Sequence, residues 1–588
     1  MKFRFLLPLL LLASACAPKT ADPFVAVFTP LEYEGVPAVS FDPATQFRNP
    51  ILPGFYPDPS ICRVGKDYYM VNSTFGYYPG IPVWHSTDLV HWEQYGNALT
   101  RNSQMPMANG SIVMGVFAPQ ISYNPQDGLF YIINTIIGGH MNYFVTTDNP
   151  AAGRWSEPTL LPEVTGIDPS ILFDVDGKAW IVSTATPEEC GETRLYQADN
   201  YIALLEFDWK EGRTVGERRV IARHGVDPSS EPASLEGPHL YHIGDKYFLM
   251  CAEGGTEQGH SEVLFEAAQV VGPYRPCAIN PILTQRDLPV DRPDFVNCTG
   301  HADLVQTEGG NWWAVFLGVE PYEGDYYFNV GRQTFLLPVT WTDGQPVILP
   351  QGRPVPKVVD MDEEIRSLVA VNQIAGFDGF APGPLWDADG IKDFVQFIRR
   401  PVSGIAGPGP VDEEDVDLLA CRREGPWWKV DARGRMSLRL KQMDIRTGGN
   451  PAFIGERLTA KTFTAQTRMT FSPVPTEVGA TRAGLACYQS EGQLMTFVKT
   501  LDAAGRPVLR TEQVRGGSVE KSFEHLLASD KPVTLRVEAV SPTIYVFSYS
   551  LDGKNFVPVG EPLDGRVLST QEAGGFQGAM VGVYGCRP

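Results

Sequence analysis

Three acidic side chains stand at matching points of a repeated phrase, and acids gathered in that way suit proton transfer. Asp58 lies in Tyr56-Pro57-Asp58-Pro59-Ser60, Asp168 in Ile167-Asp168-Pro169-Ser170, and Glu236, one residue earlier than its counterparts, in Glu236-Gly237-Pro238-His239. Taken singly, each Asp could be a turn residue capping a local amide. The prolines flanking Asp58 remove two backbone donors and restrict φ and ψ, so they pin its carboxylate. Three carboxylates at corresponding points are poorly explained as three independent caps. Grouped carboxylates raise one another's pKa, because like charges disfavour ionisation. One carboxyl can then protonate a leaving oxygen while another acts from the opposite face, the arrangement of glycoside hydrolysis. A third can tune the acid and hold it in position.

The elements that must position these acids are written in the same phrase, which occurs five times. Its copies begin at Tyr56, Phe117, Ile167, Glu236 and Gly300, and each reads as a short strand, a Gly/Asp turn and an aromatic-rich alternating strand. The apolar residues closing the opening phrase are Ile61, Ile121, Ile171, Leu240 and Leu304, so the steps are 60, 50, 69 and 64 residues. A repeat of roughly 40–50 residues per four-stranded unit marks a β-propeller. The expected fold is therefore all-β, a five-bladed β-propeller over residues 45–355. Equivalent positions of its blades surround one axis, which would bring Asp58, Asp168, Glu236 and His301 together. The Pro- and charge-rich stretch from Leu349 reads as a connection. Beyond residue 370 no sixth copy follows. Alternating segments such as KTFTAQTRMTF and VTLRVEAV predict a β-sandwich over 370–588, of jelly-roll, concanavalin-like type. The acidic run 412–417 reads as a solvated loop.

The phrases YPDPSI, IDPSILFDVDGK, EGPHLY with its following AEGG, and GHADLVQT occur together and in order. With them the chain resembles family 43 glycoside hydrolases of the β-xylosidase and α-L-arabinofuranosidase type. NPAFIGERL from Asn450 and RAGLACYQSEGQ from Arg482 resemble the sandwich of those enzymes. The resemblance implies an exo-acting, inverting hydrolase that releases terminal β-D-xylose or α-L-arabinofuranose from hemicellulose fragments. It assigns Asp58 as general base, Glu236 as general acid and Asp168 as the carboxylate that raises and orients the acid. Inversion requires base and acid roughly 6.5–9.5 Å apart, with room for a water. It places His301 beneath the site and Arg332 against sugar hydroxyls or the carboxylates, with Phe75 and Phe117 walling the sugar. Trp84 is a further aromatic candidate. Gln333 stands where the family usually has Glu. No cofactor is required. Some members hold a calcium ion near the residue matching His301, and since calcium prefers oxygen ligands that His would act through water.

The bulk properties bound the partners. With 48 Lys and Arg against 69 Asp and Glu, the net charge is −21. That argues against nucleic acid and anionic lipid surfaces and is compatible with a neutral oligosaccharide or polysaccharide. Residues 1–16 read as an export signal: Lys2 and Arg4, a mostly apolar stretch over 5–13, then Ala13-Ser14-Ala15 before Cys16. The pattern resembles a bacterial lipoprotein signal, with a lipid anchor on Cys16, a tether over 17–44, and a periplasmic or cell-surface location. The remaining eight cysteines show no zinc-like spacing. Cys62, Cys251 and Cys487 sit in strand-like runs and read as core, while Cys190 could pair. Three other readings stand beside the leading one. An endo-arabinanase commonly lacks such a sandwich. A retaining fructosidase-type enzyme would carry an Asn-Asp-Pro-Asn-Gly phrase, absent here. A glycan-binding protein with a dead site would not need all three carboxylates.

Overall fold

The structure is a computed structural model that describes residues 22–36, 39–106, 112–322, 326–374, 383–398, 421–447 and 449–588. The signal segment with Cys16 and the acidic run 412–417 lie outside the described residues. The molecule is all-β, with one long helix among the described residues, Glu363–Ile374. Among the described residues no helix is long and apolar enough to cross a membrane.

Five antiparallel sheets follow one another along the first 350 residues, four of them four-stranded and the fourth in order carrying an extra short strand. Each opens with the strand that holds one copy of the phrase: Ser60–Val64, Gly115–Asn124, Ser170–Phe173, Glu236–Ile243 and Asn297–Gln306. These opening strands touch in a closed cycle, the fifth returning to the first. A second set of equivalent residues, Ser60, Gln120, Ser170, His239 and Asp303, locks that cycle. Ser60 donates its hydroxyl to Asp303 Oδ2 at 2.7 Å and accepts from the Ile121 amide at 3.1 Å. Gln120 Oε1 accepts from the Ile171 amide at 3.1 Å, and Ser170 donates to the Pro238 carbonyl at 2.6 Å. His239 Nδ1 lies 3.5 Å from Asp303 Oδ1, which also accepts from the Tyr241 hydroxyl at 2.6 Å. Buried polar groups are tolerable because each finds a partner. The phrase thus carries two layers two residues apart: one faces the site, the next joins neighbouring sheets.

The sandwich is built from two sheets of nine and six strands among the described residues. The nine-stranded sheet corrects the expected tether over 17–44. Val25–Phe28 is inserted between Met436–Arg439 and Phe463–Thr470, and Glu32–Gly35 pairs with Phe463–Thr470 as well. Ala26, Phe28 and Leu31 are fully buried in its core. Their alternation is real but only four residues long in each strand, too short to stand out among prolines. From Val25 the path therefore runs through the sandwich, then the sheets of the propeller, and back to the sandwich. The connection after Leu349 carries a strand and a helix. Val358–Asp360 pairs with Gln46–Arg48, and Asp362 caps the following helix through the Ile365 amide at 2.8 Å. Ile365 and Val369 pack with Phe47 and Trp313, so residues 370–374 belong to the propeller body and not to the sandwich. No disulfide joins Cys62, Cys190, Cys251, Cys277, Cys298, Cys487 or Cys586.

Candidate active site

The site forms where the opening strands begin. Asp58, Asp168, Gly237 and His301 share the left-handed backbone region, with φ of 52, 54, 57 and 51°. For an L-residue that region costs about 1–2 kcal/mol, and such strain concentrates at functional sites. Ala118, the fifth equivalent, does not share it. This pattern explains why the third acid comes one residue early. A Cβ at Gly237 would lie 2.9–3.1 Å from three atoms of the His301 ring. No side chain fits there, and the carboxylate is supplied by Glu236 instead.

Asp58 is buried at 5 % exposure and held on both oxygens. Arg332 Nη1 donates to Oδ1 at 3.0 Å, and the Ser73 hydroxyl donates to Oδ2 at 2.5 Å. His301 Nδ1 stands 3.9 Å from Oδ1. Burial pushes the Asp58 carboxyl up, but Arg332, His301 and Ser73 together outweigh it and hold it below the usual carboxylate range. Asp168 behaves oppositely. Burial, then the charges of Glu236 and Asp58, push it well above that range, although it accepts from the Gly237 amide at 3.2 Å. Glu236 is pushed up to about 7, by burial first and the Asp58 charge second, with Arg332 opposing. Burial drives His301 down to about 4, so its imidazole is neutral near pH 7.

The turn bearing His301 is itself braced. A Cβ at Gly300 would lie 2.7–2.9 Å from the His260 ring. His260 Nδ1 donates to the Cys298 carbonyl at 2.9 Å, and Glu262 Oε2 accepts from the Ala302 amide at 2.9 Å. Arg332 points into the site. Its neighbour Gln333 points away, donating to Glu320 Oε2 at 2.9 Å and accepting from the Gly54 amide at 3.2 Å. The departure at Gln333 thus leaves Arg332 undisturbed.

Phe75 and Phe117 meet edge to face at 5.3 Å between ring centroids. Phe576 from the sandwich completes a cluster with them, stacked on Phe75 at 6.0 Å and edge-on to Phe117 at 5.9 Å. The Arg332 guanidinium lies 5.7 Å from the Phe75 ring and 5.5 Å from that of Phe576. Gln577, next in the chain, donates to the Ile112 carbonyl at 2.6 Å and so ties this sandwich loop to the propeller. Trp84 plays a different part from the one expected. It is fully buried, and its indole N–H donates to Asn72 Oδ1 at 3.0 Å. Asn72 in turn donates to the Tyr56 and Pro57 carbonyls at 3.0 and 3.1 Å, which fixes the loop before Asp58.

Asp58, Asp168, Glu236, His301, Arg332, Phe75 and Phe117 are therefore brought to one place. Sequence reasoning missed Ser73, His260 and Phe576. The only local signal for Phe576 is an aromatic residue after Gly574-Gly575.

Comparison with known proteins gives two family matches. Residues 47–346 match the model for glycosyl hydrolases family 43, and residues 418–588 match the β-xylosidase C-terminal concanavalin A-like domain. The chain is 34 % identical over 551 residues to the non-reducing end α-L-arabinofuranosidase BoGH43B of Bacteroides ovatus, covering 92 % of this chain and 91 % of that protein. It is 34 % identical over 545 residues to a xylosidase/arabinosidase of Butyrivibrio fibrisolvens, covering 91 % and 95 %. Among solved structures, a GH43_12 protein retrieved from a capybara gut metagenome superposes with a TM-score of 0.81 at 34 % identity, covering 96 % of this chain and 99 % of that one.

Proposed function

This chain belongs to glycosyl hydrolase family 43, and on that footing we propose that it removes terminal β-D-xylosyl or α-L-arabinofuranosyl units from hemicellulose fragments, with inversion. The observation that carries the reading is the opposed electrostatics of two neighbouring acids, Asp58 buried and Glu236 partly exposed. Asp58 is driven toward the carboxylate, while Glu236 is driven toward the protonated acid. A glycosidase that works with two carboxyls needs one group in each state at the same pH, and the inverting outcome is taken from the family resemblance.

In the proposed reaction a water between Asp58 and the sugar attacks the anomeric carbon. Asp58 takes a proton from that water. Glu236 gives its proton to the departing glycosidic oxygen on the opposite face. Asp168 is itself pushed upward, so the lift on Glu236 comes from burial and the Asp58 charge and not from Asp168 as the resemblance implied; Asp168 accepts from the Gly237 amide, which holds the turn carrying the acid. Arg332 keeps Asp58 ionised and in place. Phe75, Phe117 and Phe576 offer ring faces and edges to the apolar side of a sugar. The sandwich loop bearing Phe576 crosses to the propeller at Ile112, which supports action at chain ends.

The closed cycle of opening strands supports reading the propeller as five-bladed. For calcium, no group of three or more His, Cys, Asp or Glu is gathered to hold a metal among the described residues. At His301, where the ion was expected, the neighbouring carboxylate is Asp58, 3.9 Å away, and both its oxygens are engaged by Arg332 and Ser73. This donor set does not fit an oxygen-rich calcium site, and no step is routed through a metal. The N-terminal pattern supports export and a lipid anchor on Cys16. Aryl β-D-xyloside and α-L-arabinofuranoside, with branched xylan, arabinan and xyloglucan fragments, form the test panel. Hydrolysis of either aryl glycoside that is lost in Asp58→Ala and Glu236→Ala supports the reading. Full activity in both variants would overturn it.

A further inference from the structure

We propose that Arg457, a residue of the sandwich, is a positioning residue for the Asp58 carboxylate, acting through the backbone of Phe55 and the ring of Tyr56. This rests on the reading of Asp58 as the base.

Arg457 closes the strand Ala452–Arg457. Along that strand Ile454 joins the sandwich core, whereas Phe453 joins the cluster shared with Phe55, Phe75 and Tyr77 of the propeller. Arg457 has the same parity as Phe453, and strand side chains alternate. Its guanidinium accordingly enters the propeller, at 2 % exposure. Nε donates to the Phe55 carbonyl at 2.9 Å and Nη1 to the Tyr56 hydroxyl at 3.4 Å. The guanidinium centre lies 4.3 Å from the Tyr56 ring and 4.8 Å from the Phe55 ring. Gly54 lets the two domains close up, since a Cβ there would stand 3.3 Å from Arg457 Cβ and 3.4 Å from the Leu458 carbonyl.

The grip falls on the two residues before Pro57-Asp58. Pro57 has a fixed φ, so it cannot absorb a displacement of Tyr56. The displacement would pass to Asp58, away from Arg332 and Ser73. From the other side, Thr334 Oγ1 donates to the Tyr56 carbonyl at 2.6 Å, and Asn72 holds the same carbonyl. The sandwich also reaches Asp58 by a second path. Arg332, bonded to Asp58, donates through Nε to the Phe576 carbonyl at 3.4 Å.

Nothing about simple adhesion calls for a charge here. Among the described residues Arg457 forms no ion pair; its partners are a carbonyl, a phenol and two ring faces. Burying a charge without a counter-ion is unfavourable, and an apolar residue would glue the domains with less penalty. A planar fork that stacks between rings while directing one N–H at a carbonyl is a property of arginine, not of lysine.

The test compares Arg457→Met, Arg457→Lys, Asp58→Ala and, as a control, Tyr545→Phe. The last removes another buried contact between the domains, the Asn329 Nδ2 bond to the Tyr545 hydroxyl at 2.8 Å. The full-length protein is measured for Tm and for kcat and KM against pH on the aryl glycoside it cleaves. Arg457→Met is expected to lower kcat about 10–100-fold, as a misplacement near 1 Å does, with KM changed less than about threefold. Its acidic limb moves to higher pH as Asp58 loses Arg332 and Ser73. Arg457→Lys shows the same limb shift to a smaller extent, and it carries the test if the Met variant does not fold. Tyr545→Phe lowers Tm and leaves the acidic limb in place. An acidic limb unmoved in both Arg457 variants, or moved equally in Tyr545→Phe, overturns the proposal. Full activity in Asp58→Ala would instead overturn the base assignment, and with it the premise.

Discussion

Replacing Arg332 by Met removes the one full positive charge bonded to Asp58, and its effects can be worked out in sign and size. The pair is 3.0 Å apart, with side-chain exposures of 7 % and 6 %. Removing one partner of a buried pair typically costs about 3–5 kcal/mol, because the other charge is left uncompensated. If that loss falls on the transition state, kcat/KM drops about 10²–10⁴-fold at about 1.4 kcal/mol per decade. The pH profile gives a sharper signature. Arg332 lowers the pKa of Asp58, of Glu236 and of Asp168. Its removal raises all three. Asp58 acts ionised, so the acidic limb moves to higher pH. Glu236 acts protonated, so the basic limb moves to higher pH as well. The whole bell is displaced in one direction, which a general loss of folding would not produce. Initial rates of aryl glycoside hydrolysis across the pH range, for wild type and Arg332→Met, provide the assay. A kcat/KM within tenfold of wild type, or limbs that move apart or stay fixed, would refute the placement of Arg332 among the three acids.

Other consequences follow from the same geometry. The wild-type profile of kcat/KM should fall on the alkaline side around pH 7, where Glu236 loses its proton, and on the acid side only below the ordinary range of Asp, where Asp58 gains one; rates on the free enzyme at low substrate check both. Gly237→Ala combines a left-handed φ of 57° with a Cβ 2.9 Å from the His301 ring. It should destabilise by about 1–3 kcal/mol through overpacking, with a further drop in kcat as the Glu236 turn shifts; calorimetric Tm and kcat read the two effects. Phe576→Ala should raise KM more than it lowers kcat, since the ring lines the site without touching an acid; a fall in kcat at constant KM would contradict that.

The repeated phrase made the site legible because it is local. Five copies of one strand-turn-strand unit share an apolar spacing, and matching positions in them must converge once the strands close a cycle. Asp58, Asp168, Glu236 and His301 could be named on that ground. The offset of Glu236 could be seen but not explained, since the cause is the His301 ring lying against Gly237, far along the chain. Features that depend on the second domain were hidden for the same reason. Arg457 meets Phe55 across 402 residues, and Arg332 meets Phe576 across 244. No periodicity records such a contact. The strand Val25–Phe28 was read as tether because its partners, Met436–Arg439 and Phe463–Thr470, supply most of what makes it a strand. Trp84, a weaker aromatic candidate, shows the opposite case: an aromatic near the site need not face it, and this one anchors Asn72 from behind.

The division of labour between Asp58 and Glu236 is the claim on which the rest depends, and the first sugar released reports on it directly. Proton NMR of aryl β-D-xyloside hydrolysis, followed from the first turnovers before mutarotation, distinguishes the two outcomes. Attack by an Asp58-activated water predicts α-xylose as the initial product. Initial β-xylose would require a covalent intermediate on one of the carboxylates and would contradict the assignment of Asp58 as a base.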